Sequence, residues 1–452
     1  MKIVIAGAGV IGSNLARELS EDHEVYLIES NPDMANAVAE KLDVKVVKGN
    51  GSSPDILTQT PVHTADLVIA VTTSDETNVV ICALAGAYGA KHKVARVRNP
   101  SLERALEKFH GSHFNIDEII NPEEVAAEAI VKSVRTPGAR EVADFAGGKI
   151  LFRVFEVEDK SPLCGAALDS LNSEDYPWPF LIIAVMRSGE VFFARGDTVL
   201  QKEDRIYVLL PQHSAGEFLT FVDQDVRRMK RIIVCGATSI GERVAQKLAE
   251  EIPEILLLEE NNQRADDVAG RLSNIRVIHG SGLEADILKE CGVEKADGFI
   301  AATRTDHFNL AAAILAKKMG ARNTIITTQA PDYMGIIDVV DIDTVINARF
   351  LAVDQILRYV HGQGVHALRS FAECDSQALE LIPEEGAPIT RKPLKELSFP
   401  KDALVGAVSR GEEVLLAHGD LHIQPGERVI VFCKESAAGK LKKLFSKRKT
   451  LF

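Results

Sequence analysis

Lys2-Ile3-Val4-Ile5-Ala6-Gly7-Ala8-Gly9-Val10-Ile11-Gly12 decides how the rest of the chain is read. The run 2–6 is apolar and rich in Ile and Val, the composition of a strand buried on both faces of a parallel sheet. Val10, Ile11, Leu15 and Leu19 then follow at helical spacing. Between them lies G-x-G-x-x-G, placed where a strand turns into a helix. The first glycine permits the tight turn, the second lets backbone approach a pyrophosphate, and the third lets the helix pack on the strand. The helix N-terminus supplies N–H groups and a positive dipole end. Gly7, Ala8, Gly9, Val10, Ile11 and Gly12 are therefore candidate ligands of a dinucleotide phosphate. Glu29 ends the next apolar run, 20 residues after Gly9, where an acid bonds ribose hydroxyls and repels a 2′-phosphate. This favours NAD(H) or an adenosine nucleotide over NADP.

Outward from the loop, apolar runs alternate with helical periods. Strands are expected at Val25–Ile28, Val44–Val47, Leu67–Val71, Val94–Val97 and Glu118–Ile120, with Asn31-Pro32-Asp33 opening a helix. Alternation of this kind means crossover connections and a doubly wound α/β fold. Three more groups fall on the carboxyl edge of the sheet. Gly49-Asn50-Gly51-Ser52 follows the third strand, where Asn50 either reads an adenine edge or closes a plain turn. Thr72 and Thr73 end the fourth, where their hydroxyls reach ribose or phosphate, or cap a helix. Arg96 and Arg98 flank the end of the fifth, and either bind phosphate or form a surface or inter-subunit ion pair.

The chain then repeats itself. Arg231-Ile232-Ile233-Val234-Cys235-Gly236-Ala237-Thr238-Ser239-Ile240-Gly241 answers the opening stretch. Gly280-Ser281-Gly282 answers Gly49-Asn50-Gly51, and Asp306-His307-Phe308-Asn309 answers Asp75-Glu76-Thr77-Asn78. Gly419-Asp420 before Glu427-Arg428 answers Gly196-Asp197 before Asp204-Arg205. After each doubly wound half the pattern changes to short strands with turns, such as Ile150–Glu158, Phe180–Met186, Glu190–Ala194 and Arg205–Leu210 around Ser188-Gly189-Glu190. The expected organisation is two tandem Rossmann-like parallel sheets, each followed by a small β-rich α+β domain. The expected boundaries are 1–135, 140–225, 229–358 and 365–436, with a basic tail at 437–452. In the second loop Thr238 replaces the middle glycine and its Cβ would crowd a pyrophosphate. Glu259 is kept as a candidate cofactor ligand at its strand end, but Arg96 and Arg98 become Thr327 and Gln329. Weaker, altered or absent nucleotide binding is expected there.

A net charge of −13 argues against nucleic acid as a partner. Six scattered cysteines without a C-x-x-C pair read as thiols of a reducing compartment. No run of about 18 apolar residues spans a bilayer, and the N-terminus reads as a strand, not a signal peptide. Protease, hydrolase and P-loop motifs are missing. His63, His92, His110 and His113 have no partner pattern and read as ordinary loop or surface residues. No metal site is expected. Binding without chemistry is what a sensor does, since a ligand acts only through differential affinity for two conformations.

The opening Met1–Gly9, the run Val71-Thr72-Thr73-Ser74-Asp75-Glu76-Thr77-Asn78 and Leu404-Val405-Gly406-Ala407-Val408 resemble the TrkA-type peripheral subunit of Trk potassium uptake systems. The resemblance covers nearly the whole chain, in the order of RCK (KTN) N- and C-domains, twice. It implies a homotetrameric ring on the cytoplasmic membrane face, docked on a potassium-translocating membrane subunit. It also implies that NAD(H) and ATP or ADP bind the N-domains and gate transport without catalysis, with Gly7, Gly9, Gly12, Glu29 and Thr72 in the pocket. The competing readings are an NAD-dependent oxidoreductase and a scaffold with vestigial loops. The tail with Lys440, Lys442, Lys443, Lys447, Arg448 and Lys449 is read as a solvated helix or as a contact with anionic lipid or the partner.

Overall fold

The computed structural model describes residues 1–108, 114–171, 178–223, 228–330, 340–360, 365–371 and 375–447. His110, His113, Cys374, Arg448 and Lys449 lie outside the described residues. The first repeat opens with β1 (Lys2–Ala6), α1 (Val10–Ser20), β2 (Glu24–Glu29), α2 (Pro32–Lys41), β3 (Lys45–Lys48), α3 (Pro54–Leu57), β4 (Leu67–Ala70), α4 (Asp75–Tyr88), β5 (His92–Arg96), α5 (Pro100–Lys108), β6 (Glu118–Ile120) and α6 (Pro122–Arg135). The six strands are parallel in the order β3-β2-β1-β4-β5-β6. Ile3, Val4, Ile5 and Ala6 are fully buried, which is why β1 reads as an unbroken apolar run. Asn31 accepts from the N–H groups of Asp33 and Met34, at 2.9 and 3.1 Å, and so starts α2 with Pro32 at its first position.

The first β-rich part contains β7 (Ala139–Phe145), β8 (Ile150–Glu156), α7 (Leu168–Leu171), β9 (Leu181–Arg187), β10 (Glu190–Phe193), β11 (Arg205–Pro211) and α8 (Ala215–Val222). Its sheet is antiparallel in the order β10-β9-β11-β8-β7. Ser188 and Gly189 both have positive φ, 53° and 82°, and join Arg187 to its cross-strand partner Glu190 as a two-residue hairpin. Strand β7 has no counterpart in the sequence reading. Its buried positions Ala139, Val142 and Phe145 are three apart, and its register against β8 shifts between Ala139 and Glu141, so the alternation that marks a strand is broken.

The second repeat runs β12 (Arg231–Cys235), α9 (Ser239–Leu248), β13 (Glu254–Glu259), α10 (Asn262–Arg271), β14 (Arg276–His279), α11 (Ala285–Glu290), β15 (Gly298–Ala301), α12 (Asp306–Lys318), β16 (Asn323–Thr328), β17 (Thr344–Asn347) and α13 (Ala348–Val360). Then come β18 (Val365–Phe371), β19 (Ser376–Leu381), β20 (Ala403–Arg410), β21 (Glu413–Leu416), β22 (Arg428–Lys434) and α14 (Ala438–Phe445). Both strand orders of the first repeat return, as β14-β13-β12-β15-β16-β17 and β18-β19-β22-β20-β21.

The compact units do not follow the repeat boundaries. One consists of Met1–Val125 with Ala348–Val360, and the other of Ala126–Asn347 with His361–Phe452. In the first, α13 packs against α1. In the second, the two antiparallel sheets share one core: Phe152 stacks on Phe371 with ring centroids 4.9 Å apart and lies 6.0 Å from Phe432. Glu380 of β19 accepts from the N–H of Ala146 at 2.7 Å across the same seam.

Candidate functional site

The first glycine loop sits between β1 and α1, at the point where strand order reverses, the usual ligand crevice of an open α/β sheet. Its three glycines have different reasons to be glycine. Gly7 has φ +108°, and a Cβ on it would lie 3.0 Å from the Thr72 nitrogen. On Gly12 a Cβ would fall 1.9 Å from the Gly7 carbonyl oxygen. Gly9 has ordinary extended backbone, φ −65° and ψ −177°, and a Cβ there would meet nothing within 4 Å. The fold itself therefore demands Gly7 and Gly12 but not Gly9. Gly9 is also the N-cap of α1 and offers no side-chain bond, and the first turn carries no acid, so the helix presents its N–H groups and positive end to the crevice.

The rim residues are already organised by the protein. Glu29 is buried, and its carboxylate accepts from the N–H of Ala8 at 2.6 Å and of Asn31 at 2.8 Å. It thus ties the end of β2 to the glycine loop; a carboxylate has further lone pairs for a sugar hydroxyl. Gly49 and Gly51 pack on Ile56 and Ile81, where a Cβ would stand 2.6 and 3.1 Å from side-chain carbon. Asn50 closes a local turn, its Oδ1 accepting from the N–H and hydroxyl of Ser52 at 3.0 and 2.9 Å. The Thr72 hydroxyl donates to Oδ1 of Asn78 at 2.7 Å, whereas Thr73 is exposed at the edge.

Two residues quoted in the sequence for the repeat and the resemblance, but given no role in the site, turn out to hold this edge together. Asn78 is fully buried; its Oδ1 accepts from Thr72 N–H at 2.9 Å and its Nδ2 donates to the Arg96 carbonyl at 2.9 Å. Asp75 accepts from the N–H groups of Arg98 and Asn99, at 2.9 and 2.8 Å. The signal for both was their recurrence as Asn309 and Asp306, which make the corresponding bonds to Thr303, Thr327, Gln329 and Ala330. Arg98 bonds Asp75 and the Thr73 carbonyl, which is the ion-pair alternative. Arg96 differs. Its Nε is buried without a protein partner, and burial together with Arg98 holds its guanidinium below the usual range. Such a donor fits an anion.

In the second repeat Thr238 has nearly the backbone of Gly9, φ −79° and ψ 172°, but carries a side chain. Its hydroxyl accepts from the Gly241 N–H at 3.3 Å and donates to the Ala302 carbonyl at 2.6 Å. The N-terminus of α9 is thereby capped from within. Glu242 stands in its first turn, where α1 has Ser13, and is paired with Arg264 and Arg271. Glu259 repeats the role of Glu29, accepting from Ala237 and Asn261. A cleft of about 630 Å³ nevertheless opens here, lined among others by Gly236, Thr238, Glu259, Arg264, Gly282 and Thr303. Space remains, while one N–H of the first turn of α9 is already bonded by the Thr238 hydroxyl.

Burial pushes the thiols of Cys82 and Cys235 up to about 12, far from a nucleophile's range. Among the described residues no group of three His, Cys, Asp or Glu could hold a metal. His63 bonds the Tyr88 carbonyl at 3.2 Å and packs edge-on against its ring, and His92 lies exposed at the start of β5. No described helix is long and apolar enough to cross a membrane.

Comparison with known proteins matches the TrkA-N domain family at residues 3–122 and 232–348, and the TrkA-C domain family at 152–222 and 379–446. A Trk system potassium uptake protein TrkA homolog of Archaeoglobus fulgidus is 31% identical over 446 residues, covering 98% of this chain and 100% of its own. Among solved structures, the GsuK channel bound to NAD covers 98% of this chain and 78% of its own, with TM-score 0.62 at 16% identity. GsuK bound to ADP covers 79% and 69%, with TM-score 0.51 at 14% identity. These two likenesses are of fold.

Proposed function

We propose, because this chain belongs to the TrkA family of Trk-system potassium uptake proteins, that it is the nucleotide-sensing regulatory subunit of such a system. In this reading it docks on the cytoplasmic side of a potassium-translocating membrane subunit, as a homotetramer, and biases that subunit between conformations. NAD(H) and ATP or ADP bind at the first glycine loop without being transformed. The observation that carries the reading is Gly9, where the protein's own packing leaves room for a side chain and supplies none.

The residues divide the work as follows. The N–H groups of Val10, Ile11 and Gly12 face the diphosphate, aided by the positive end of α1. Glu29 orients the ribose while keeping the loop closed on β2. Asn50 and Ser52 border the base, and Thr72 and Thr73 border the second sugar. Arg96, held by the Asn78 bracket, is the cation for a terminal phosphate, with Arg98 beside it. Glu259 is the corresponding ribose ligand of the second pocket, where binding is weaker or altered because Thr238 caps the helix. The module boundaries follow the repeat, at 1–135, 140–225, 229–358 and 365–436 with the basic segment after it.

The test is equilibrium binding of NADH and ADP to the purified chain, paired with potassium flux into vesicles holding the membrane subunit. Competitive binding at one site, with flux that differs between the two nucleotides, is expected. No binding in the first repeat would remove the sensor reading. Steady consumption of NADH would favour the oxidoreductase instead.

A further inference from the structure

The cleft of the second repeat differs from that of the first in where its cations stand. In the first repeat Arg96 ends β5 and Arg98 follows it, and β5 is three strands from β2 and Glu29 in the order β2-β1-β4-β5. At about 4.8 Å per strand that is roughly 14 Å, so a ligand touching both ends is long. The counterparts of these arginines, Thr327 and Gln329, carry no charge. The second repeat has a cation one strand nearer instead. Arg304, just past the end of β15, stands where the first repeat has Thr73, and it lines the cleft. In the order β13-β12-β15 it is two strands from Glu259, which at about 4.8 Å per strand is roughly 10 Å.

Arg304 is available to a ligand. It is exposed, and no ion pair among the described residues engages its guanidinium. Arg264, the other cation lining the cleft, is already engaged: it donates to the Ala237 carbonyl at 3.1 Å and pairs with Glu242 and Asp267. The glycine loop offers a diphosphate less than its counterpart does. Thr238 places a side chain where Gly9 has none, and its hydroxyl takes the Gly241 N–H at 3.3 Å. Glu242 adds a carboxylate to the first turn of α9, whereas the first turn of α1 has no acid. Glu259 meanwhile keeps the arrangement of Glu29, one oxygen on the N–H of Ala237 and the other on that of Asn261. The cleft thus sets an acceptor for a sugar diol at short range from one uncommitted cation, with poorer ground for a diphosphate between them.

We propose that the second cleft binds a ribonucleoside monophosphate, with its ribose on Glu259 and its phosphate on Arg304, and discriminates against NAD(H) and nucleoside diphosphates. This rests on the reading of Glu259 as a ribose ligand and goes beyond it in naming the ligand and the residue that selects it. The two clefts of one chain then sort nucleotides by phosphate number. Gly9 against Thr238 decides whether the helix end takes a diphosphate, and Arg96 against Arg304 decides how far from the ribose the anion is held.

Calorimetric titration of the full-length chain with AMP, ADP, NADH and adenosine tests this. With NADH saturating the first pocket, the parent chain should still bind one AMP. Gly9→Thr, in which the first loop is altered, should bind AMP at least about tenfold more tightly than ADP or NADH. Arg304→Gln should weaken AMP at least about tenfold through loss of a charge-assisted bond, and leave adenosine unchanged. Arg276→Gln, at the start of β14 and so at the opposite end of the same sheet, should change neither. Circular dichroism checks that each variant is folded. The proposal is overturned if the parent binds no AMP, if saturating NADH displaces it, or if Gly9→Thr binds ADP or NADH as tightly as AMP. It is also overturned if Arg304→Gln weakens AMP no more than Arg276→Gln does. A parent chain that binds neither NADH nor ADP would instead overturn the reading of the first pocket, and an AMP affinity that responds to Arg304 would still support the second.

Discussion

Gly9 and Thr238 hold the same turn of the two repeats in nearly the same backbone conformation, one with no protein atom within 4 Å of its missing Cβ and the other with a hydroxyl bonded to the Gly241 N–H. Gly9→Thr should therefore fold normally, cap α1, and raise stability by a few tenths of a kcal/mol. It should also reduce NADH and ADP binding by at least about 100-fold through loss of the phosphate N–H groups. Calorimetric titration and thermal denaturation of the same sample read both effects. Retained binding would show that the diphosphate lies elsewhere.

Gly12 makes the opposite prediction from the same loop. A methyl group there would fall 1.9 Å from the Gly7 carbonyl oxygen, which is backbone and cannot swing away. Gly12→Ala should cost about 1–3 kcal/mol in urea denaturation, whereas Gly9→Ala should leave stability within about 0.5 kcal/mol. Equal effects would mean that the packing under the loop is not as described.

Glu29 has both a structural and a binding part, and two substitutions separate them. Glu29→Ala leaves the N–H groups of Ala8 and Asn31 without an acceptor and should cost about 1–3 kcal/mol in denaturation as well as weakening NADH. Glu29→Gln keeps an acceptor for only one of these two N–H groups, which bond different carboxylate oxygens, so only part of the stability should return while NADH affinity stays low. Unchanged affinity in both variants would take Glu29 out of the site.

Asn78 is fully buried and brackets β4 to the end of β5. Asn78→Leu matches its size but strands Thr72 and Arg96 groups, so a loss of about 2 kcal/mol or more is expected. Nucleotide affinity should fall with it, because the bracket fixes Thr72 and Arg96. A stable variant with full affinity would make the bracket incidental.

Asp144 gives a pH dependence. Burial pushes its carboxyl up, but Arg153 and Lys132 outweigh burial and hold it below the usual carboxylate range. A lowered folded value means stability that is full above the unfolded value, near pH 4, and is lost as pH falls through the folded value. Asp144→Asn should cost about 3 kcal/mol at pH 7 and flatten this acid limb, because it takes the counter-charge from the buried Arg153 guanidinium. Denaturation midpoints from pH 7 to pH 3 check the sign.

Much of this was legible in the amino-acid order because it is local. The run Ile3-Val4-Ile5-Ala6 and the glycines after it predict β1, the turn and α1, since strand burial and turn geometry depend on adjacent residues. Alternation of such units then implies the crossover connections and parallel pairing seen in both sheets. Ser188-Gly189 marks its hairpin for the same reason. Strand β7 was not legible because a bulge removes its alternation. The bracket role of Asn78 was not legible because its partners, Thr72 and Arg96, sit on different strands.

Repeat, parallel crossover architecture and the glycine loop thus follow from patterns within a few residues of one another. Folding in space settled everything that turns on whether a group already has a partner. It distinguished Gly9 from Gly7 and Gly12, closed the second helix end with the Thr238 hydroxyl, and set the two antiparallel sheets on one core through Phe152, Phe371 and Phe432. Satisfaction and steric room are properties of distance in space, and residues hundreds of positions apart decide them.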